Sequence, residues 1–304
     1  VLIAKSRFNG KYPFFISLFT LIFLSSGTYI YYTNNILNKR TSSKESELQT
    51  VEGEKKYKKY EAYAQPRIVS VNVDVDISPK TRDLSASGEY LMINKTQESI
   101  DSIFLDHNSL ISTFKFNKEN NLVLEDTIYN LDIYKLKSAL KPGDSLKLEF
   151  SIKNKPNTIL RNNSSVISNG TFINSSIFPS LGYQLGELRD DKTRKKYGLP
   201  KNKLKPHPSD STALGNTYIA KDADWIDFEA TVSTSKDQIA IAPGYLQKEW
   251  IDGDRRYFHY KMDSKILNFY AFNSAKYEIK KDKWNNVNLE IYYHKGHEYN
   301  LDRM

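Results

Sequence analysis

Alternating apolar and polar residues are the feature that most constrains the fold of this chain. The segment IVSVNVDVDI, residues 68–77, places branched apolar residues from Val71 to Ile77 on one side and polar residues such as Asn72 and Asp74 on the other. A period of two is typical of a half-buried antiparallel strand. Similar short runs follow, separated by turn residues, whereas no long amphipathic helical pattern occurs after residue 66. The sequence therefore predicts a mainly β fold, an antiparallel sandwich or saddle-like sheet assembly. Further strands are predicted at residues 84–94, 100–106, 112–117, 122–134, 145–153, 225–233, 238–242, 255–262, 268–279 and 287–293.

An uncharged stretch near the start predicts a transmembrane helix. No charged residue occurs from Tyr12 to Asn38, and the apolar part ends at Tyr32. A helix of that length rises about 31 Å, which matches the roughly 30 Å hydrocarbon core of a bilayer. Aromatic residues at both ends suit the headgroup region. We therefore predict that residues 12–33 span a lipid bilayer.

Two other interpretations of the apolar stretch stay open. A cleavable signal peptide has a shorter apolar core and a small-residue cleavage site; residues 25–27 could supply the site, but the apolar run continues past them. A buried core helix rarely lacks charges for so long. A weak bias in Lys and Arg favours a cytoplasmic stub at residues 1–11. Residues 34–304 are then expected on the periplasmic, extracytoplasmic side of the inner membrane.

The polar segment 34–66 predicts a membrane-proximal helical linker. Ser42 and Glu45 have the spacing of a capping box, which would start a helix there. Pro66 disfavours helix at the residue before it, so the helix should end earlier. Residues 67–304 then form the β-domain, interrupted by a long polar loop at residues 154–221 in which residues 189–199 predict one short helix.

The charge pattern does not predict a nucleic-acid-binding surface. The net charge is +8, but lysines and arginines are interspersed with acidic and amide residues and do not form a basic stripe. The run at residues 55–59 is expected to be a solvated face that also suits anionic headgroups. The chain has no cysteine, which excludes disulfides and thiolate-bound metal within it.

No catalytic constellation is recognisable in the sequence. His294 and His297 lie three residues apart with Gly296 between them, whereas the H-E-x-x-H motif places two histidines on one helical face. We interpret them as an exposed turn. Asp74 and Asp76 alternate along a strand, and we interpret them as its solvated face, not as an acid–base pair. P-loop, dinucleotide-binding and nucleophile-elbow motifs do not occur.

Several segments carry a family resemblance. They are VDVDISPKTRDLSASGEYLMINKT, IAIAPGYLQKEW, RRYFHYKMDSKILNFYAFNSAKYEI and VNLEIYYHKGHEYNLDRM. Their order is similar to the opening and the exit of the N-terminal β-domain of M1-type zinc aminopeptidases. The apolar stretch, with YEAYAQPRI at residues 60–68 and FPSLGYQLGELRDDKTRKKYGLP at residues 178–200, resembles bacterial proteins that fuse an ABC-type permease to an M1 peptidase-like domain.

The resemblance implies where chemistry would lie. The apolar helix would be the last transmembrane helix of the permease, and the β-domain would lead into a zinc-binding catalytic domain that holds all metal ligands. No cofactor is therefore expected within residues 1–304. M1 peptidases also place a Gln or Glu shortly before a Phe-Pro-like segment to hold the substrate's amino terminus. The corresponding segment here instead has Asn169, Thr171 and Asn174, which we take as substrate-binding candidates.

Two functional hypotheses follow. The chain begins with Val1 and ends after a strand and a polar turn, so we expect a piece of a longer protein. In the first hypothesis it supports zinc-dependent peptide hydrolysis or peptide binding by the next domain. In the second it is a non-catalytic binding module of a membrane transport assembly. A free-standing single-span sandwich protein is a third, weaker interpretation. Expected partners are the lipid bilayer, the permease and peptidase-like parts of the parent protein, and peptides.

Overall fold

The computed structural model describes residues 11–37, 41–107, 111–156, 164–202, 206–211, 213 and 221–303. The chain divides into two compact units, Val1–Glu52 with Glu187–Pro200, and Gly53–Gly186 with Lys201–Met304. The domain boundaries predicted from the sequence stay predictions.

Within the described residues the α-helices are α1 (Tyr12–Tyr32), α2 (Ser43–Tyr57) and α3 (Asp191–Lys196). The strands are β1 (Arg67–Ser78), β2 (Asp83–Ile93), β3 (Ile100–Asp106), β4 (Ile111–Phe116), β5 (Asn120–Asp126), β6 (Leu131–Leu140), β7 (Ser145–Asn154), β8 (Thr171–Asn174), β9 (Ser180–Leu181), β10 (Ala223–Ser235), β11 (Ile239–Ile241), β12 (Tyr245–Asp252), β13 (Arg255–Lys261), β14 (Ala271–Ala275), β15 (Tyr277–Trp284) and β16 (Val287–His294).

Helix α1 coincides with the apolar stretch predicted to span a membrane. Pro13 lies in its first turn, where the missing N–H would be unpaired in any case. Thr33–Leu37 continue it as a π-helix. None of its apolar residues is buried against protein, and Tyr12–Ile36 are long and apolar enough to cross a bilayer. A signal sequence near the N-terminus has the same properties.

Helix α2 begins with the predicted capping box. The backbone N–H of Ser42 donates to Glu45 Oε2 at 2.8 Å, and the Glu45 N–H donates to Ser42 Oγ at 3.3 Å. These two bonds satisfy donors that a helix start leaves unpaired. A 3₁₀ turn, Lys58–Ala62, follows α2. The helical segment therefore ends before Pro66, as predicted.

Helix α3 is the short helix predicted within residues 189–199. Asp190 caps it by accepting a hydrogen bond from the Thr193 N–H at 2.8 Å. After its last turn, the Tyr197 hydroxyl donates to Glu47 Oε1 at 2.6 Å, and Lys196 Nζ lies 3.2 Å from the same oxygen. The first unit is thus held together partly by polar contacts to the start of α2.

The strands of the described residues form four sheets. The largest has seven strands in the order β12-β13-β10-β1-β2-β7-β4. A four-stranded sheet runs β5-β6-β3-β9, a three-stranded sheet runs β11-β14-β8, and β15 pairs with β16 in a two-stranded sheet. Strands β1 and β10 are parallel, while β1 pairs antiparallel with β2, and the remaining described pairs are antiparallel. The predicted fold class, a mainly β antiparallel assembly preceded by one apolar helix, is confirmed.

The core of the second unit follows from the alternation in β1. Val71, Val73 and Val75 are buried, while Asn72 and Asp74 between them are exposed. The same inner face receives alternate residues of the neighbouring strands, including Phe150 of β7 and Phe228 of β10. The sheet therefore buries one face and leaves the other in contact with solvent.

Two predicted strands were wrong in extent, because each joins two separate strands. Residues 122–134 contain a turn between β5 and β6, where Asn130 adopts a φ of 52°. Residues 268–279 are divided between β14 and β15, which belong to different sheets. Runs of strand-forming residues conceal such breaks because propensity does not report which neighbour a strand pairs with.

Strands β8, β9 and β12 were not predicted. β12 begins after Gly244, whose φ of 105° is in the left-handed region. A Cβ on Gly244 would lie 2.6 Å from the backbone carbonyl carbon of Lys261. Glycine is therefore required where the chain enters β12 so close to the end of β13. β12 lies at a sheet edge and exposes residues of both faces, which removes the apolar alternation that marks a strand in sequence.

Candidate functional site

The predicted substrate-binding residues lie in and next to strand β8. The Thr171 side chain is buried; its hydroxyl accepts from the Ile167 N–H and donates to the Ile167 carbonyl, each at 3.1 Å. Asn174, at the other end of β8, is partly exposed and accepts from the Ser176 N–H at 3.0 Å. The burial pattern of β8 places Thr171 with buried Ile173, whereas Asn174 alternates with them. Thr171 and Asn174 therefore do not share a face.

Asn169 is held by a separate contact. Its Oδ1 accepts from the backbone N–H of Lys276 at 2.8 Å, on the chain segment that joins β14 to β15. The hydrogen bonds of Thr171 and Asn174 thus order local turns, whereas that of Asn169 joins two segments distant in sequence. A role for them in substrate binding stays a prediction.

The described residues hold no group of three or more His, Asp or Glu side chains that could bind a metal ion. His294 ends β16 and His297 follows the turn after it; both are exposed, and their ring centroids lie 5.7 Å apart. His294 Nδ1 lies 2.8 Å from the Lys295 carbonyl. The zinc that the family resemblance implies would thus need ligands from outside this part of the chain.

Two acidic residues are withdrawn from water in the second unit. Asp222 is buried and its Oδ2 accepts from the Leu181 N–H at 2.9 Å; burial raises its pKa. Asp106, at the end of β3, pairs in register with Ser180 of β9. Burial raises the pKa of Asp106 to about 6, opposed by the nearby His107 and increased by the Asp222 carboxylate. At neutral pH the ionised Asp106 carboxylate is therefore held in the folded state at a cost in free energy.

We expect Asp106→Asn to stabilise the protein at pH 7.5. An unfolded Asp has a pKa near 3.9, whereas that of folded Asp106 is about 6. The folded state therefore binds the proton more tightly, and stability falls as the pH rises from about 4 to about 6. Removing the carboxylate should raise the free energy of unfolding at pH 7.5 by about 2–3 kcal/mol and change it little at pH 4.

Denaturant unfolding of the full chain in detergent at both pH values measures this effect. Asp101→Asn is the matched control on the same strand, because Lys135 lowers the pKa of Asp101 and this carboxylate favours folding when ionised. Asp101→Asn should not stabilise the chain. Equal stability of wild type and Asp106→Asn at pH 7.5 would show that the ionised Asp106 carboxylate does not destabilise the folded state.

A row of small polar side chains crosses the outer face of the seven-stranded sheet. Directly opposed residues on neighbouring strands place their side chains on the same face. The register aligns Thr231 with Asp74, Asp74 with Ser87, Ser87 with Ser151, and Ser151 with Thr113. At about 4.8 Å per strand the row is about 19 Å long. We name these five side chains the polar trough.

Larger side chains flank the polar trough on both sides. Depressions of about 510 Å³ and 610 Å³ lie over its two ends and share its centre. At one corner, Trp250 and Tyr257 stack with ring centroids 5.0 Å apart and planes 7° apart, and both rings line the first depression. Lys248 Nζ lies 5.1 Å from the Trp250 ring. The trough therefore has a hydroxyl-rich floor and an aromatic end.

Sequence reasoning interpreted Asp74 and Asp76 as a solvated strand face and did not identify the trough. The available signal was the recurrence of small polar residues at alternate positions of several strands, such as Ser85 and Ser87 in β2 or Thr231 and Ser233 in β10. Their alignment depends on register across five strands, which a single sequence does not contain.

No family model matches the chain, and no curated protein matches it. Similar solved structures include the M1 zinc metallopeptidase from Deinococcus radiodurans, with 11% sequence identity and a TM-score of 0.45, over 75% of this chain and 47% of that one. A mutant of a two-domain M1 zinc metallopeptidase bound to L-tryptophan gives 11% identity and a TM-score of 0.44, over the same shares. The chain spans about half the length of these structures. At this level the likeness does not decide family or activity.

Proposed function

We propose that this chain is the membrane-anchored N-terminal β-domain of an M1-like zinc peptidase. It supports peptide hydrolysis or peptide binding by a zinc-bearing domain that follows it in the whole protein. Helix α1 anchors it in the bacterial inner membrane as the last helix of an ABC-type permease, and residues 34–304 lie outside the membrane. Asn169, Thr171 and Asn174 are the proposed substrate-side residues.

The uncovered apolar face of the β15–β16 hairpin carries this proposal. Near the hairpin turn, Trp284 pairs with Val287, and Leu289 lies on the same face opposite Asp282. Trp284 is 68% exposed, Val287 52% and Leu289 44%. A contiguous apolar patch on a soluble domain commonly marks an interaction surface. A two-stranded ribbon is also marginally stable by itself, so packing against another domain would stabilise it.

The opposite face of the same hairpin end is polar. Lys281 pairs with Glu290, with 2.7 Å between Nζ and Oε1, and Lys283 lies opposite Asn288. One face of the hairpin end therefore exposes three apolar side chains together with Asp282, and the other is polar; the apolar patch suits a protein neighbour. A following domain is the proposed occupant, because the resemblance implies that this hairpin leads into the catalytic domain.

The coding sequence after codon 304 tests the proposal directly. An H-E-x-x-H motif with a distal Glu supports peptide hydrolysis, whereas a similar domain without these ligands supports peptide binding alone. A continuation of fewer than about a hundred residues, too short for another typical domain, would contradict the proposal.

We expect Trp284→Ser combined with Leu289→Ser to destabilise the full-length protein but not the 304-residue chain. Burying both side chains against a neighbour should contribute about 2–4 kcal/mol, which the variant loses. In the 304-residue chain the same side chains are exposed, so its free energy of unfolding should change by about 0.5 kcal/mol or less.

The measurement is denaturant unfolding of both lengths in detergent. Lys281→Ser with Asn288→Ser, on the opposite face, is the matched control and should have no length-dependent effect. Equal effects of the apolar pair on both lengths would exclude docking through this face.

A further inference from the structure

The polar trough has hydrogen-bonding groups that the protein does not use. Among the described residues, none forms a hydrogen bond or ion pair with the side chain of Thr231, Asp74, Ser87, Ser151 or Thr113. All five are partly or fully exposed. Four hydroxyls and one carboxylate therefore lie in a row, free to donate to or accept from a ligand along the whole trough.

The charged side chains around the trough are largely paired with one another. Glu229 Oε1 lies 2.8 Å from His259 Nε2, and Glu229 Oε2 lies 3.0 Å from Lys261 Nζ. Glu149 pairs with Lys115 at 3.5 Å. Among the described residues that line the two depressions, Lys153 is the one basic side chain without an ion pair. A nucleic acid or another polyanion would require several unpaired basic residues along the groove, so one lysine does not make the trough a polyanion site.

The first depression adds a further balanced network. Asp76 forms an ion pair with Arg255 and accepts from the Ser233 hydroxyl at 2.5 Å. The stacked rings of Trp250 and Tyr257 stand at the same end. A ligand in the trough would thus meet hydrogen-bonding groups along its length and an aromatic surface at one end.

We propose that the polar trough binds a neutral oligosaccharide. A sugar chain presents hydroxyl groups along its edges, which match the free hydroxyls and the Asp74 carboxylate, and it presents C–H faces that pack on aromatic rings such as Tyr257. An extended peptide is a poorer match. It binds by pairing with a sheet edge or by filling apolar pockets, whereas the trough crosses the middle of the sheet and has a polar floor.

Binding of tetrasaccharides to the full chain tests this inference. We would titrate the protein, in a detergent without a sugar headgroup, with cellotetraose and chitotetraose, and follow heat and tryptophan fluorescence. Saturable binding of at least one sugar is expected. Tyr257→Ala should weaken it about tenfold, in line with the loss of one aromatic contact. Ser87→Leu, which places a large side chain on the floor of the trough, should abolish it.

Trp225→Ala is the matched aromatic control, because Trp225 is exposed on β10 but does not line either depression. It should leave sugar affinity unchanged, and thermal unfolding should show that every variant is folded. The inference is overturned if neither tetrasaccharide binds saturably, or if Ser87→Leu binds sugar like the wild type. It is also overturned if tetra-alanine binds in the trough and the sugars do not.

Discussion

Replacing Phe272 with alanine is expected to lower the free energy of unfolding by about 3–5 kcal/mol. Phe272 is fully buried in β14. Its ring lies 5.9 Å from that of Tyr270, 6.1 Å from that of Phe178 and 6.4 Å from that of Phe228. Phe178 and Phe228 come from chain segments distant in sequence from Phe272, and Phe228 belongs to the seven-stranded sheet. Truncation would therefore leave a cavity in the core of the second unit.

Phe269→Ala provides a control only three residues away. Phe269 is 50% exposed, so its truncation should change stability by about 0.5 kcal/mol or less. Denaturant unfolding of the full chain in detergent compares the two variants. If both changed stability by a similar small amount, the aromatic cluster would not be the core of this unit.

Local patterns in the sequence predicted the elements that depend on near neighbours. The alternation in β1 arises because one face of a sheet is buried and the other is exposed to solvent. Residues 68–77 alternate apolar and polar side chains, so the sequence alone indicates which residues lie on each face. The capping box depends on Ser42 and Glu45 alone. For the same reason the short helix α3 was recognisable within a long polar loop.

Features that depend on distant pairing were not predictable. The raised pKa of Asp106 depends first on its burial and then on Asp222, which lies on a chain segment more than a hundred residues away. The polar trough requires the register of five strands, and the stacking of Trp250 on Tyr257 requires the unpredicted edge strand β12. The sequence also does not show that Thr171 faces the core, because β8 has four residues and is too short for a reliable alternation.

The second large effect concerns helix α1. Phe19 and Phe23 lie one turn apart near its centre, and both are exposed to the surroundings of the helix. An arginine at the centre of a membrane helix costs about 2.5–3.5 kcal/mol on insertion scales. Phe19→Arg with Phe23→Arg should therefore oppose insertion by about 5–7 kcal/mol. We expect the wild-type chain to resist alkaline carbonate extraction from membranes, and the double variant to be extracted.

Phe19→Leu with Phe23→Leu is the matched control, because it keeps the helix apolar and should remain in the membrane fraction. The same preparation distinguishes an anchor from a signal sequence. Intact-mass measurement of membrane-bound protein should find residues 12–33 retained, since a permanent span is not cleaved. Cleavage near residues 25–27 would instead release the second unit from the membrane and remove the anchoring part of the proposed function. Extraction of wild type and the Arg variant to the same extent would show that α1 does not hold the protein in a bilayer.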